Sequence, residues 1–376
     1  MSTLKVNTIN AATSGQAVDV DISNPRSFRN LVINGAMQVA QRGTSSTTSG
    51  FGSVDRFQHL YAGTNEAPTF AQHALTSSDT GPWEKGFRNS LHATNGNQTG
   101  GADAADEIFF YYQIEAQDLA NSCWDYTSSS SYITFSFWIK SSVAQNFYGN
   151  FTTRDGTSQN YAFETGSLTA NTWTKIEKTI PGNSNITIDN NTGEGITIGI
   201  FAFYGTNYTT SGHTLNAWAA KTNSSIMPDN TSTWYTTNDA TFEITGVQLE
   251  VGSVPTEFEH RSYADELRRC QRYYQEIHGG FGGGADDSTE IIYCVTYPVK
   301  MRATPSVGQT AAMTFEEPSD ADRNQSSTGV SIRSSRCSDT GCVVSLDNYS
   351  SIQIDQLYFS NCNQNSGGKV TYSAEL

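Results

Sequence analysis

The sequence predicts a mainly β protein: an antiparallel, jelly-roll-like β-sandwich, a short linking helix and a smaller C-terminal β domain. Three observations predict it. Apolar and polar residues alternate over long runs, as in "YITFSFWIK" (Tyr132–Lys140), where Ile133, Phe135, Phe137 and Ile139 share one face of a strand. Gly, Ser, Thr and Asn are abundant and 11% of the 376 residues are aromatic, a mix that suits short strands joined by tight turns and argues against a disordered chain. Helical spacing behind a capping signal interrupts the β pattern at Ser262–Ile277.

Residues 1–27 read as a separate N-terminal arm. "LKVNTIN" alternates apolar and polar, "TSG" is a turn, and "AVDVDI" places Val18, Val20 and Ile22 on one side of a strand. So little apolar surface does not fold alone, and the arm is expected to add its strands to another subunit or a partner. Asp19 and Asp21 read as a solvated strand face rather than a calcium site. Residues 28–260 read as one large sandwich domain. "GITIGIFAFYG" (Gly195–Gly205) is apolar enough to be covered on both faces, while "NTWTKIEKTI" and "ATFEITGVQLEV" supply further strands. The segment Asn207–Asp239 is too long for a simple hairpin, and long loops on a sandwich are where binding resides.

Residues 261–284 are the joint. Ser262 with Asp265 three positions on resembles a capping box, and Leu267, Cys270, Tyr274 and Ile277 then follow at helical spacing. A helix of about four turns is marginal alone, so this stripe needs a partner. Three copies of the chain burying one another in a homotrimer would supply it, making Leu267, Cys270, Tyr274 and Ile277 the expected oligomer interface. "HGGFGGGADD" ends the helix and reads as a flexible connector. Residues 285–376 form the second β module: a strand in "STEIIYCVTYPV", a bend at Pro298, and strands in "GCVVSLDNYSSIQIDQLYF" and "GKVTYSAEL".

A net charge of −15 and a pI near 4.7 set the chain against phosphate backbones, so nucleic acid is not an expected partner. No apolar run approaches the ~20 residues of a membrane-spanning helix, so no membrane insertion is expected. "MSTLKVNTIN" carries no signal-peptide core, which places assembly in a cytoplasm. Five of the six cysteines follow residue 269 without zinc-like pairing; Cys337 and Cys342 are close enough for a disulfide, with buried free thiols the preferred reading. No HExxH, GxSxG, P-loop or dinucleotide motif is present, and the six histidines lack ligand spacing. The chain is therefore expected to be non-enzymatic, with no cofactor and no metal. For binding, Trp218, Trp234 and Tyr235 stand among Asn, Ser and Thr in the long loop, where amphipathic rings stack on sugar faces; lids closing the ends of the sandwich are the competing reading.

"NLVINGAMQVAQRGTS" (Asn30–Ser45), "SVDRF" (Ser53–Phe57), "FSFWIKSS" (Phe135–Ser142), "ITGVQLEVGSVPTEFEHRSYADELRRCQRYY" (Ile244–Tyr274) and "YPVKMRATPSV" (Tyr297–Val307) together resemble tailed-bacteriophage tail-fibre and virion structural proteins. The opening "MSTLKVNTI" is similar to the start of fibre-type proteins of marine phages, cyanophages among them. The resemblance implies a virion component, commonly a homotrimer, with a lectin-like sandwich and a distal C-terminal domain. The arm would then join it to tail or capsid, and a surface glycan of the host would be its receptor. A short tail fibre is the leading reading; a capsid-decorating fibre and a polysaccharide-degrading spike are the alternatives.

Overall fold

Strand alternation closes residues 45–251 into two six-stranded antiparallel sheets packed face to face. In order, the first holds β1 (Ser45–Ser46), β3 (Thr69–Ala74), β4 (Asn89–Thr94), β12 (Thr241–Val251), β6 (Tyr132–Ser141) and β9 (Thr174–Pro181). The second holds β11 (Trp218–Ala220), β8 (Gln159–Ser167), β7 (Asn146–Thr153), β10 (Glu194–Tyr204), β5 (Glu107–Glu115) and β2 (Phe57–Ala62). This is a computed structural model, and it describes residues 29–278, 282–317, 320–327, 329–333, 336–349, 352–360 and 368–376. The arm of residues 1–27 lies outside them.

The core follows from the alternation. Ile133, Phe135, Phe137 and Ile139 are all fully buried, and Phe135 meets Phe151 of the opposite sheet edge-on at 5.2 Å. Such pairs contribute about 0.5–1.5 kcal/mol beyond the area they bury. Strand β10 is covered on both faces, as its composition predicts: its outer face packs Phe201 and Tyr204 with Phe109, Ile226 and Met227. Strand β12 slips register between Thr245 and Gln248, where Gly246 takes φ +63 and re-aims the chain.

His59 shows how burial sets a charge state. Its ring stacks on Phe70 at 4.2 Å, and Nε2 lies 2.8 Å from the Thr48 carbonyl. Burial holds its pKa down to about 4, against 6.5 in the open chain. The unfolded state therefore takes up a proton first, and stability is lost as pH falls from about 6.5 to about 4. Asp55, pushed up to about 6 chiefly by burial, works in the opposite sense over an overlapping window. Comparing chains isolates the histidine: His59→Phe should flatten the acid limb of the denaturation midpoint by on the order of 2–3 kcal/mol between pH 7 and 4.5. An unchanged pH profile in that variant would show that His59 charges freely in the fold.

The second unit contains a three-stranded sheet, β13 (Tyr274–Ile277), β22 (Val370–Ser373) and β16 (Ser306–Gln309). Its larger sheet has seven strands: β18 (Asp320–Ser327), β17 (Met313–Glu317), β21 (Leu357–Ser360), β14 (Gly282–Ala285), β15 (Ile291–Thr296), β20 (Gly341–Asp347) and β19 (Gly329–Ile332). Three expectations change here. Helix α3 (Tyr263–Gln271) starts at the Ser262 cap, whose hydroxyl accepts from Asp265 N–H, but it ends before Tyr274. Tyr274–Ile277 pairs instead with β22, because that register bonds it to the last strand of the module while Ile277 packs on the second core. The described part of the glycine run is likewise strand β14 and not a connector. A Cβ on Gly283 would stand 2.3 Å from the Ile292 carbonyl oxygen, so glycine permits that close strand approach. Cys337 and Cys342 are joined as a disulfide rather than kept as free thiols, since the turn between them brings their Cα atoms to 4.1 Å.

The joint itself is built from the segments that carry the resemblance. Asn34, in the left-handed region at φ +62, donates to the Val39 and Asp55 carbonyls (both 2.9 Å) and accepts from Val39 N–H. Asn30 spans to β12, donating to the Val247 carbonyl and accepting from Leu249 N–H. Arg272 makes a two-pronged contact to Glu115 at 2.7 and 2.8 Å, and the Tyr273 hydroxyl donates to the same carboxylate at 2.6 Å. Arg302 reaches the Ala374, Glu375 and Thr192 carbonyls, tying both units together. Among the described residues, no helix is long and apolar enough to cross a membrane.

Candidate functional site

The outer face of the first sheet carries the chemistry. Alternation that sends Phe135, Phe137 and Ile139 inward sends Ser136, Trp138 and Lys140 outward on β6. Cross-strand pairing sets Trp138 beside Lys175, and Lys140 beside Glu243. Two positive-φ glycines make room for the tryptophan ring. A Cβ on Gly81 (φ +97) would lie 2.7 Å from it, and one on Gly246 would lie 2.7 Å from the Phe87 ring. Phe87, itself buried, meets Phe258 edge-on at 4.8 Å and the His260 ring at 5.1 Å.

These rings wall a pocket of about 250 Å³. Ser136 and Thr256 bring hydroxyls to it, and Glu84, Lys85, Lys175 and Glu257 bring charges. Lys85 and Glu257 form an exposed pair at 3.3 Å, free to open toward a ligand. Apolar ring faces beside hydroxyl, ammonium and carboxylate groups match a molecule with both C–H faces and hydroxyl edges.

Beside the pocket, on the same outer face, lies a partly buried polar network. Lys140 Nζ stands 2.9 Å from Asp79 and 3.0 Å from Glu243, and the Trp173 ring N–H donates to Asp79 at 3.0 Å. Burial pushes the Glu243 carboxyl up, but His92, Lys140 and the Ser90 hydroxyl outweigh it and hold the group down to about 2. Asp79 is held below the usual carboxylate range in the same way, burial being outweighed by Trp173, the Thr76 N–H and Lys140. Both acids are therefore carboxylates at neutral pH, which fixes the Lys140 ammonium between them.

The aromatic residues expected to bind sugar stand elsewhere. Trp234 and Tyr235 are 0% and 1% exposed, and no sugar ring reaches their faces. They sit on helix α2 (Thr233–Thr236), with the Trp234 ring N–H donating to the Thr241 carbonyl and Tyr235 stacked on Phe203 at 4.5 Å. They close the end of the sandwich, which is the lid reading. Trp218 is half-buried on edge strand β11, its ring N–H bonded to the Pro181 carbonyl and its face tilted against Tyr161. The expected interface residues are also held within the chain. Cys270 and Leu267 pack with Ile33, Val39, Tyr273 and Leu376, Tyr274 lies under Arg42 at 3.5 Å, and Ile277 packs on the second core. Leu267 and Cys270, which called for other copies of the chain, find a partner in Ile33 and Val39.

Residues of the pocket come from positions 84–87, 136–138, 175 and 246–260, a set that only sheet pairing brings together. The sequence did hold one clue, since Trp138 stands with Tyr132 on the outward side of β6 between polar residues. No protein-family model matches this chain, and no curated protein matches it in sequence. In structure, it is similar to the enzymatically active domain of bacteriophage CBA120 tailspike protein 4 at TM-score 0.31 and 9% identity, over 59% of this chain and 21% of that one. The family 11 carbohydrate-binding module of cellulosomal cellulase Lic26A-Cel5E of Clostridium thermocellum matches at TM-score 0.26 and 13% identity, over 58% and 98%. The CBM22-1 xylan-binding domain from Paenibacillus barcinonensis Xyn10C matches at 0.28 and 10%, over 60% and 96%. The chain spans about a fifth of the tailspike domain it matches, and likenesses this distant say nothing of what it binds.

Proposed function

We propose that this chain is a non-enzymatic virion structural protein, of the tail-fibre kind, whose sandwich binds a saccharide of the host surface in the Trp138–Phe87–Phe258 pocket. The observation that carries the binding is the pocket itself: aromatic walls with hydroxyl, ammonium and carboxylate groups, set on a rigid sheet. The virion setting is supported by the tail-fibre-like segments, most of which meet in one joint between the two units. The joint is framework, so receptor choice belongs to the exposed face of the sandwich.

Binding to an array of bacterial surface saccharides tests the reading. Trp138→Ala should weaken the strongest signal by roughly 1–3 kcal/mol, about 5- to 150-fold, since ring stacking is lost. Lys175→Ala, at the exposed rim, should weaken it less and leave the fold intact. Trp218→Ala serves as the comparison, because that ring is already bonded to Pro181. Saccharide binding that survives Trp138→Ala but falls with Trp218→Ala would move the site to the sandwich edge.

A further inference from the structure

Three side chains far apart in sequence converge on the outer face of the first sheet. The register pairs His92 on β4 directly with Glu243 on β12, and His73 on β3 directly with Ser90 on β4. His73 Nδ1 lies 3.2 Å from Glu243 Oε2, and His92 Nδ1 lies 3.4 Å from Oε1. The three donor atoms all fall within 4.8 Å of one another. A tetrahedral zinc-type ion with bonds of ~2.0–2.1 Å separates its ligand atoms by roughly 3.3 Å, which is the spacing each imidazole already keeps from the carboxylate.

The second observation concerns the proton on His92. Its Nε2 stands 3.0 Å from the Thr94 hydroxyl, while Nδ1 is buried and makes no aligned hydrogen bond. With Nε2–H donating to Thr94, Nδ1 turns its lone pair toward the Glu243 oxygen. Two lone pairs facing each other at 3.4 Å repel unless a second ring proton or a cation stands between them. A hydrogen-bonded second nitrogen that fixes the tautomer is the usual support of a metal-bound histidine.

We propose that His73, His92 and Glu243 form a site for a first-row divalent cation of the zinc type. Two imidazoles and one carboxylate suit such an ion and leave a coordination position to water. Ser90 holds the carboxylate, donating to Oε2 at 2.8 Å. His73 is half-exposed, with its side chain 50% accessible, so it provides the entry path and the freedom to close the last distance. Lys140 opposes the ion by its charge, but it keeps Asp79 as an alternative partner at 2.9 Å and can yield Glu243. Such a site rivets strands β3, β4 and β12 together beside the saccharide pocket without depending on it.

The test uses the full chain stripped with a chelator and titrated with Co²⁺, followed by displacement with Zn²⁺. We expect the strong visible absorption of four- or five-coordinate Co²⁺, saturating at one ion per chain and abolished by excess Zn²⁺. His73→Ala should weaken binding about tenfold or more, and His92→Gln should do so at least as strongly. Lys140→Gln, which removes the opposing charge, should tighten it severalfold; an inert salt-bridge network gives no such gain. Because His73 is on the surface, its variant should keep the parent's circular dichroism, so lost binding is not lost folding. Absence of any Co²⁺ spectrum at ~1 mM metal, or a spectrum indifferent to His73→Ala and His92→Gln, would overturn the proposal.

Discussion

Replacing Glu375 by glutamine should cost about 3–5 kcal/mol of stability. Arg56 is 1% exposed, with its guanidinium lying 3.4 Å over the Tyr273 ring and donating to the Gln113 carbonyl at 2.9 Å. Burial by itself disfavours that charge, and the Glu375 carboxylate is the counter-charge that holds it. Arg42 meets the same carboxylate at 3.1 Å from the other side. Glutamine keeps the shape but not the charge, and its amide can offer an oxygen to only one of the two guanidinium groups, turning N–H toward the other. The denaturant midpoint should fall accordingly, with helix α3 and β22 losing hydrogen-exchange protection together because both meet at this point. The double variant Arg56→Met with Glu375→Met should recover most of the loss, as well-packed apolar replacements of buried ion pairs do. If Glu375→Gln costs under about 1 kcal/mol, the pair is solvated and the joint is held by other contacts.

Gly35→Ala should be as severe, for a purely steric reason. A Cβ there would lie 2.0 Å from the Val247 carbonyl oxygen and 3.1 Å from its carbon, with backbone as the obstacle and no side chain to swing aside. The same two residues share a hydrogen bond, Val247 N–H to the Gly35 carbonyl at 2.9 Å, and Asn30 ties down Val247 from the flank at 3.1 Å. Making room separates residues 30–37 from β12 and breaks those bonds together. A loss of roughly 3 kcal/mol or more, or failure to accumulate soluble protein, is expected. Gly284→Ala, where nothing lies within 4 Å of the new methyl, is the matched control and should be tolerated. Equal melting temperatures for the two variants would mean that residues 30–37 move freely against the sandwich.

The Trp138 pocket and the joint differ in what they demand of the chain. Pocket residues such as Lys175 and Glu84 are exposed and replaceable at little cost to folding. Joint residues such as Asn34, Arg56 and Glu115 are buried polar groups that also bond distant segments, so each substitution there orphans a second group. Binding can therefore change in the pocket while the joint stays fixed.

What the sequence determined by itself is local. Residue pattern marked the strands of Tyr132–Ser141, Glu194–Tyr204 and Thr241–Val251, and alternation with a period of two fixed which face of the first turns inward, because a pleated strand leaves no other choice once the apolar face must be buried. The Ser262 cap marked a helix start for the same kind of reason, being a contact three residues long. Tertiary structure decided everything that depended on a partner far along the chain. Helical spacing continued through Tyr274 and Ile277, yet pairing with Val370–Ser373 made them a strand. Trp234 and Tyr235 looked like surface aromatics because their neighbours are polar, but polarity of neighbours does not reveal a core closing over them. His73, His92 and Glu243 carry no ligand spacing in the sequence. Their nearness is a property of sheet register, in which residues 151 positions apart become direct neighbours across one ladder of hydrogen bonds.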